Sequence, residues 1–249
     1  MRNETRSTSV EGGTYATWDG DQLTFAPGVT PLRMAEDVHS ALRAVLHDPD
    51  YPCVGAKSVV NQNSYRFGLY PRLGDDGTTA DLAFDLYRFI QDRQRIEGNF
   101  CSFIASFLEP KLKSLKRFEH LLWQQLSALH NLDVNSHSWN AEVSSDPASP
   151  NFSFSFGGQA FFIVGLAPPN PRWARCFPWP TLVFNDHFQF ERLRAEHRFE
   201  LLRDTIRKRD SKLHGKANPM VTDFGAHSEA AQYSGRNVHG GWQCPVRFD

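Results

Sequence analysis

Cysteine is scarce in this sequence. The 249 residues contain four cysteines, Cys53, Cys101, Cys176 and Cys244, and no two of them form a Cys-x-x-Cys pair. Scattered cysteines in a chain of this length exclude a disulfide scaffold and a structural zinc site built on paired thiolates. Residues 1–13 are polar and lack the apolar core of a signal peptide. We therefore expect a reduced, cytoplasmic protein.

Long apolar runs and blocks of one charge are also missing. The most apolar stretch, residues 160–168, is much shorter than the roughly 20 residues that a membrane-spanning helix needs. The net charge is −1, and no basic block or zinc-finger spacing occurs. The sequence therefore predicts neither a membrane span nor a nucleic-acid partner.

Several catalytic motifs are absent as well. The sequence contains no Gly-x-Ser-x-Gly, no His-Glu-x-x-His, no phosphate-binding loop and no internal repeat. These absences leave no hydrolase or nucleotide-binding signature. What is abundant is aromatic surface, with 20 phenylalanines and 6 tryptophans, enough for a large core and for a pocket around a flat ligand.

Hydrophobic periodicity predicts helices over residues 33–48, 78–96, 115–132, 187–194 and 198–213. Alternation predicts strands over 64–73, 152–156, 159–165 and 181–185, with a hairpin turn at Gly157-Gly158. This order is typical of an α+β fold, with an antiparallel sheet and packed helices in a single domain. We expect residues 1–30 to form a loose, flexible arm or a peripheral strand, and residues 31–249 to form the domain. The proline-rich residues 168–180 are expected to be irregular but packed through their aromatic side chains.

The segment Tyr-Pro-Cys-Val-Gly-Ala-Lys at residues 51–57 is the most informative one. If a short helix starts here, Pro52 suits its first turn and Cys53 lies at the positive end of the helix dipole. That position favours a thiolate, the form that binds metals and attacks electrophiles. Lys57, one turn later, would favour the anion further. The alternative is that Cys53 is simply a small buried apolar residue.

Other candidates are ambiguous from the sequence alone. His120 projects away from the apolar stripe of its helix, as a ligand or as a solvated residue, whereas Glu119 and Trp123 flank that stripe. Asp186 and His187 follow a strand end, where functional side chains and helix caps both occur.

The C-terminal region adds three candidates. Cys244 is a rival metal thiolate or a buried residue. Glu229 and Arg236 form an ion pair that pins the tail, or they bind a polar substrate or a cofactor carboxylate.

Twelve short segments, taken in order, resemble the YqcI/YcgG family over roughly residues 33–249. They are residues 52–57, 65–68, 118–126, 143–147, 152–156, 161–166, 180–185, 189–194, 218–220, 223–225, 232–236 and 242–245. The resemblance implies haem chemistry, because characterised members are similar to haem-dependent N-hydroxylases of guanidino or amino nitrogens. These include the arginine hydroxylase of D-cycloserine biosynthesis and the hydroxylase of guanitoxin biosynthesis.

On this resemblance the protein is a haem b-dependent monooxygenase or peroxygenase that hydroxylates a nitrogen of a small molecule such as L-arginine. A thiolate axial ligand assists O–O cleavage, which makes Cys53 the first candidate for the iron ligand, with His120, His187 and Cys244 as alternatives. His120 is otherwise an acid–base group. The substrate cation would meet Glu119 first and Asp186 second.

The resemblance also implies surroundings for the cofactor. The haem propionates would be held by Lys57, Arg66 or Arg236. The porphyrin would be walled by Trp123, Phe154, Phe156 and Phe161. The oxidant would be peroxide, or oxygen with an electron-donating reductase, and a homodimer is compatible with the sequence.

Two other functions compete with the oxygenase. One is a haem-binding or haem-sensing protein without turnover. The other is a non-haem cysteine-dependent enzyme, with Cys53 as nucleophile beside a histidine.

Overall fold

The computed structural model describes residues 14–98, 100–216, 228–238 and 241–248. Within these ranges seven strands form one sheet: β1 (Ala16–Trp18), β2 (Leu23–Phe25), β3 (Tyr65–Arg72), β4 (Ser102–Glu109), β5 (Phe154–Phe156), β6 (Gln159–Leu166) and β7 (Thr181–Asp186). The helices in the same ranges are α1 (Ala35–His47), α2 (Val54–Asn61), α3 (Asp76–Asp92), α4 (Leu115–Asp133), α5 (His187–Ala195) and α6 (Phe199–His214). This is a single α+β domain, as predicted.

The sheet has the order β2-β1-β3-β4-β7-β6-β5 and is antiparallel at every pairing but one. Strands β3 and β4 run parallel, joined by α3, so the predicted antiparallel sheet contains one parallel βαβ unit. The predicted hairpin is confirmed: β5 pairs with β6 across Gly157 and Gly158, whose φ angles are +59° and +71°. Positive φ at both central residues gives the turn that matches the twist of paired strands.

Helices cover both faces of the sheet and bury a separate apolar core on each. Alternate residues of β4 divide between the two, with Phe103 in the core under α3 and α4 and Ile104 in the core under α1 and α2. Leu122 of α4 lies in the first core and Leu42 of α1 in the second. The two cores lie on opposite faces of the sheet, and Phe162 and Tyr233 contact each other where the cores approach one another.

Residues 14–30 contribute to the sheet rather than forming a loose arm. Strands β1 and β2 pair at one edge, and β1 also pairs with β3. Tyr15 and Ala16 are buried. The expected peripheral strand is therefore present within residues 14–30, and residues 1–13 lie outside the described residues.

The proline-rich residues 168–180 contain one short 3-10 turn, Trp173–Arg175, and are otherwise irregular, as predicted. Phe177 is buried, so the segment packs on the body of the protein. In the described ranges no helix is both long enough and apolar enough to span a bilayer.

Candidate functional site

A cavity of about 290 Å³ opens on the α1–α2 side of the sheet. Its floor consists of strand side chains from β4, β6 and β7, among them Ile104, Val164 and Val183. Helices α2, α5 and α6 and the irregular segment 172–175 supply the walls. Its size lies at the lower end of the range for small-molecule sites, and most of its surface is apolar.

Cys53 lies in the wall of this cavity at the start of α2. Its backbone is extended, with φ −82° and ψ 99°, and its sulfur accepts a hydrogen bond from the Ala56 N–H at 3.5 Å. The thiol therefore caps α2, and the expected short helix is present; it begins at Val54, so Pro52 precedes it instead of lying in its first turn. This position directs the first-turn N–H groups, and the positive end of the helix dipole, toward the sulfur.

The protonation of Cys53 differs from the prediction. Burial raises the pKa of the thiol, and the Ala56 N–H and the Arg175 guanidinium only partly oppose that shift. The helix terminus alone therefore does not produce a thiolate here. A bound metal ion would add the missing positive charge, since a coordinating thiol is deprotonated outright.

Lys57 does not act on the thiol as expected. Its ammonium donates hydrogen bonds to the carbonyl oxygens of Asp48, at 2.6 Å, and Pro49, at 3.4 Å. Lys57 therefore stabilises the loop between α1 and α2, and the cation near Cys53 is Arg175 instead.

Arg175 belongs to the proline-rich segment and was missed from the sequence. Its guanidinium donates to the carbonyl oxygens of Gly165, at 3.2 Å, and Tyr233, at 3.3 Å. Burial lowers the pKa of Arg175. The available signal was the proline-rich segment 168–180. Its aromatic side chains pack the segment on the body of the protein, so an arginine between them is also placed toward the interior.

Arginines are the main polar contribution to the cavity. Five of them line it in the described part of the chain: Arg172, Arg175, Arg194, Arg203 and Arg207. Arg172 forms a 2.5 Å ion pair with Asp210, which also faces His214 at 3.2 Å. The cavity is therefore suited to a ligand that carries anionic groups.

Glu229 is the second carboxylate in the lining. Its Oε2 atom is buried and has no hydrogen-bond partner among the described residues. Burial raises the pKa of Glu229 to about 7, with Arg194 opposing the shift. The predicted ion pair of Glu229 with Arg236 is wrong, because Arg236 pairs with Glu119.

Glu119, Arg236 and Trp123 lie on the other side of the sheet, with α4. Glu119 accepts hydrogen bonds from Arg236 Nη2 at 2.7 Å, from Arg236 Nε at 2.9 Å and from Ser234 Oγ at 3.2 Å. Trp123 is fully buried and stacks on Tyr233 with ring centroids 5.5 Å apart. None of the three lines the cavity, so their predicted roles in binding substrate, propionate and porphyrin are not supported by their positions.

The remaining predicted residues are also outside the cavity lining. Arg66 pairs with Asp92 at 3.7 Å. Asp186 caps α5 by accepting from the Phe188 N–H at 3.1 Å and pairs with Arg93 at 3.4 Å. The cap that the sequence offered as an alternative for Asp186 is therefore present.

The alternative metal ligands are separated from Cys53 and from one another. His120 is exposed on α4. His187 is buried between Ser153 Oγ, at 3.1 Å, and Glu191, at 3.6 Å. Cys244 packs against the core under α4, and burial raises the pKa of its thiol to about 12. The porphyrin-wall candidates Phe154, Phe156 and Phe161 are core residues of the same side.

Two further observations limit the chemistry. Over the described ranges no group of three or more His, Cys, Asp or Glu side chains converges as a metal site. The described residues lining the cavity include no histidine, so Cys53 has no imidazole partner there for nucleophilic catalysis.

Two of the twelve segments that resemble the family, residues 218–220 and 223–225, lie outside the described residues.

Comparison with known proteins places the chain in a family. A sequence model of the YqcI/YcgG family matches residues 42–247. A curated relative, "Uncharacterized protein YcgG" from Bacillus subtilis strain 168, is 23% identical over 154 residues, which span 60% of this chain and 60% of the relative. No solved structure gives a significant match. Because the family match extends over more than half of its length, this chain belongs to the YqcI/YcgG family.

Proposed function

We propose that this protein is a haem-dependent oxygenase that hydroxylates a guanidino or amino nitrogen of a small molecule such as L-arginine. The observation that carries the proposal is the position of Cys53. Its thiol caps α2 in the wall of an apolar cavity, and among the described lining residues it is the one soft metal ligand.

The residues of the cavity fit a haem group chemically. Haem iron needs a single protein ligand on one side, so the absence of a three-ligand cluster in the described residues does not count against it. The strand side chains of the floor offer the apolar contacts that a porphyrin needs. Bound through Cys53, haem would supply an oxidising iron centre whose thiolate ligand favours O–O cleavage.

Residues of the protein would stabilise the thiolate, bind the haem propionates and exclude water. Arg175 and the Ala56 N–H stabilise negative charge on the sulfur. Arg203 and Arg207, four residues apart on α6 and both in the lining, are suited to bind propionates, the role that the sequence had assigned to Lys57, Arg66 and Arg236. The apolar floor excludes water from the reacting nitrogen.

An absorption spectrum of protein produced with a haem supply tests the proposal. We expect a Soret band, and a red-shifted band for the reduced carbon monoxide complex, as thiolate ligation gives. Cys53→Ala should remove or shift these bands. Cys244→Ala is the matched control, because it deletes the rival thiol on the other side of the sheet, and it should leave them unchanged. Protein that binds no haem, or a spectrum altered by Cys244→Ala alone, would overturn the proposal.

Turnover separates an oxygenase from a haem-binding protein without activity. Haem-loaded protein is incubated with L-arginine and either peroxide or oxygen with a reductant, and mass spectrometry detects the hydroxylated nitrogen. Haem loading without any hydroxylated product from L-arginine or related guanidines and amines would favour the sensing function.

A further inference from the structure

Glu229 is the one carboxylate of the described cavity lining with a buried oxygen that accepts no hydrogen bond from the described residues. It lies at the start of the 3-10 turn Glu229–Gln232, which Ser228 holds in place by accepting from the Ala230 N–H and donating to the carbonyl of Pro147. The turn is therefore anchored, and the Glu229 side chain faces the cavity with a buried Oε2 that accepts no hydrogen bond from the described residues.

Three of the arginines that line the cavity pair with other carboxylates. Arg194 pairs with Glu191 and lies over the Phe199 ring at 4.4 Å. Arg172 is engaged with Asp210, and Arg203 pairs with Asp204 at 3.0 Å. Asp210 therefore has a hydrogen-bonded cationic partner, whereas no described residue donates a hydrogen bond to Glu229 Oε2, and Arg194 acts on Glu229 through its charge.

A buried carboxylate oxygen without a donor is costly, so such a group persists where a ligand satisfies it. The ligand that fits carries N–H donors and a positive charge. A guanidinium presents paired N–H groups that match the two oxygens of a carboxylate, and an ammonium presents three donors.

We propose that Glu229 binds the cationic nitrogen group of the substrate inside the cavity. For the reaction itself the inference rests on the proposed function, but binding of the cation is measurable with or without haem. Glu229 would thus determine specificity for a cationic over a neutral substrate, a role that the sequence had assigned to Glu119 or Asp186.

The charge around Glu229 gives the site a pH dependence. The groups that act on it are Arg194 and Glu191 from α5, with the hydroxyl of Tyr233 on its own turn. Because burial holds the pKa of Glu229 near 7, part of the population is protonated at neutral pH. A cation binds the ionised form, so affinity should rise from pH 6 to pH 8, with up to about a tenfold loss per pH unit below the pKa.

Calorimetric titration tests the inference on haem-loaded and haem-free protein. The probes are L-arginine, agmatine and L-lysine, which are cationic, and L-citrulline, which replaces the guanidinium by a neutral urea. We expect wild-type protein to prefer the cations, and Glu229→Gln to weaken L-arginine binding by at least about 30-fold while changing L-citrulline little. Glu229→Asp should retain part of the preference.

Two variants serve as controls. Asp210→Asn removes the other carboxylate of the cavity, and Glu97→Gln removes an exposed carboxylate outside it. Unchanged L-arginine binding in Glu229→Gln, or a loss confined to Asp210→Asn, would overturn the inference. If Glu229→Gln does not fold, wild-type protein decides: equal affinity for L-arginine and L-citrulline, no binding of any of the three cations, or an affinity that is flat between pH 6 and pH 8 would each refute it.

The two proposals fail differently. A missing Soret band with Glu229-dependent cation binding would remove the oxygenase and keep the inference. A Soret band together with cation binding that does not depend on Glu229 would keep the haem proposal and refute the inference about Glu229.

Discussion

The ion pair between Glu119 and Arg236 allows a sharp test of which carboxylate is structural. Glu119→Gln keeps the shape of the side chain and removes its charge, leaving the Arg236 guanidinium without its partner. The Glu119 side chain is 9% exposed and that of Arg236 is 31% exposed, so the pair is intermediate between a surface and a buried one. Surface pairs contribute about 0–1 kcal/mol, and breaking a buried pair costs about 3–5 kcal/mol.

We therefore expect Glu119→Gln to lower the free energy of unfolding by about 2 kcal/mol, an intermediate value between those limits. For a domain of this size that loss corresponds to a fall in melting temperature of roughly 4–8 °C. Urea unfolding followed by tryptophan fluorescence measures it. Ligand binding by the folded variant should be unchanged, because the cavity lies on the opposite side of the sheet.

A double-mutant cycle completes the test. Arg236→Met and the double variant should give a coupling energy of about 1 kcal/mol or more, as expected for two groups in direct contact. Glu97→Gln, at an exposed position, should change stability by less than about 0.5 kcal/mol. Wild-type stability of Glu119→Gln together with lost L-arginine binding would refute this reasoning and restore Glu119 as the substrate carboxylate.

Two further predictions concern stability. Gly165→Ala places a Cβ 2.7 Å from a ring carbon of Phe118 and 2.8 Å from the Tyr233 carbonyl oxygen, so we expect the free energy of unfolding, measured in urea, to fall by about 1–3 kcal/mol. Gly55→Ala is the control, because the atoms nearest to its added Cβ lie at 3.9 Å. Equal stability of the two variants would contradict the packing argument. Asp85 accepts a hydrogen bond from the Tyr70 hydroxyl at 2.7 Å, and burial raises the pKa of its carboxyl from 3.8 to about 7. Between about pH 4 and pH 7 the folded protein therefore holds a proton that the unfolded chain has released. Because of this difference, the free energy of unfolding should fall as the pH rises through that range. Glu229 titrates with the same sign, so the contribution of Asp85 is the difference between the pH profiles of wild type and Asp85→Asn, and identical profiles would refute it.

Local patterns predicted those elements whose shape is decided locally. The apolar stripe of α4 and the two glycines between β5 and β6 indicate a helix and a hairpin from local sequence alone. These predictions are confirmed.

Strand β4 was missed for a physical reason. It lies between β3 and β7 and is covered on both faces, so Phe103, Ile104 and Ala105 are all buried and no alternation marks the strand. The parallel pairing of β3 with β4 could not be predicted once β4 was missed, because β3 and α3 alone do not show that a second strand follows the helix and pairs with β3. The available signal was a mostly apolar stretch over residues 103–108, Phe-Ile-Ala-Ser-Phe-Leu, shortly before Pro110.

The partners of the carboxylates could not be predicted, because they depend on which side of the sheet each helix covers. Nearness in sequence favoured pairing Arg236 with Glu229, seven positions away, and left Glu119 for a ligand. The fold brings Arg236 instead to Glu119, 117 positions away, on the α4 side. Glu229 thereby keeps an Oε2 atom that accepts no hydrogen bond from the described residues, and it faces the cavity that contains Cys53. Glu119, predicted to bind the substrate, is therefore the structural carboxylate, and Glu229 is the one we propose for the ligand. This reversal follows from the contact between Glu119 and Arg236, which no local sequence pattern indicates.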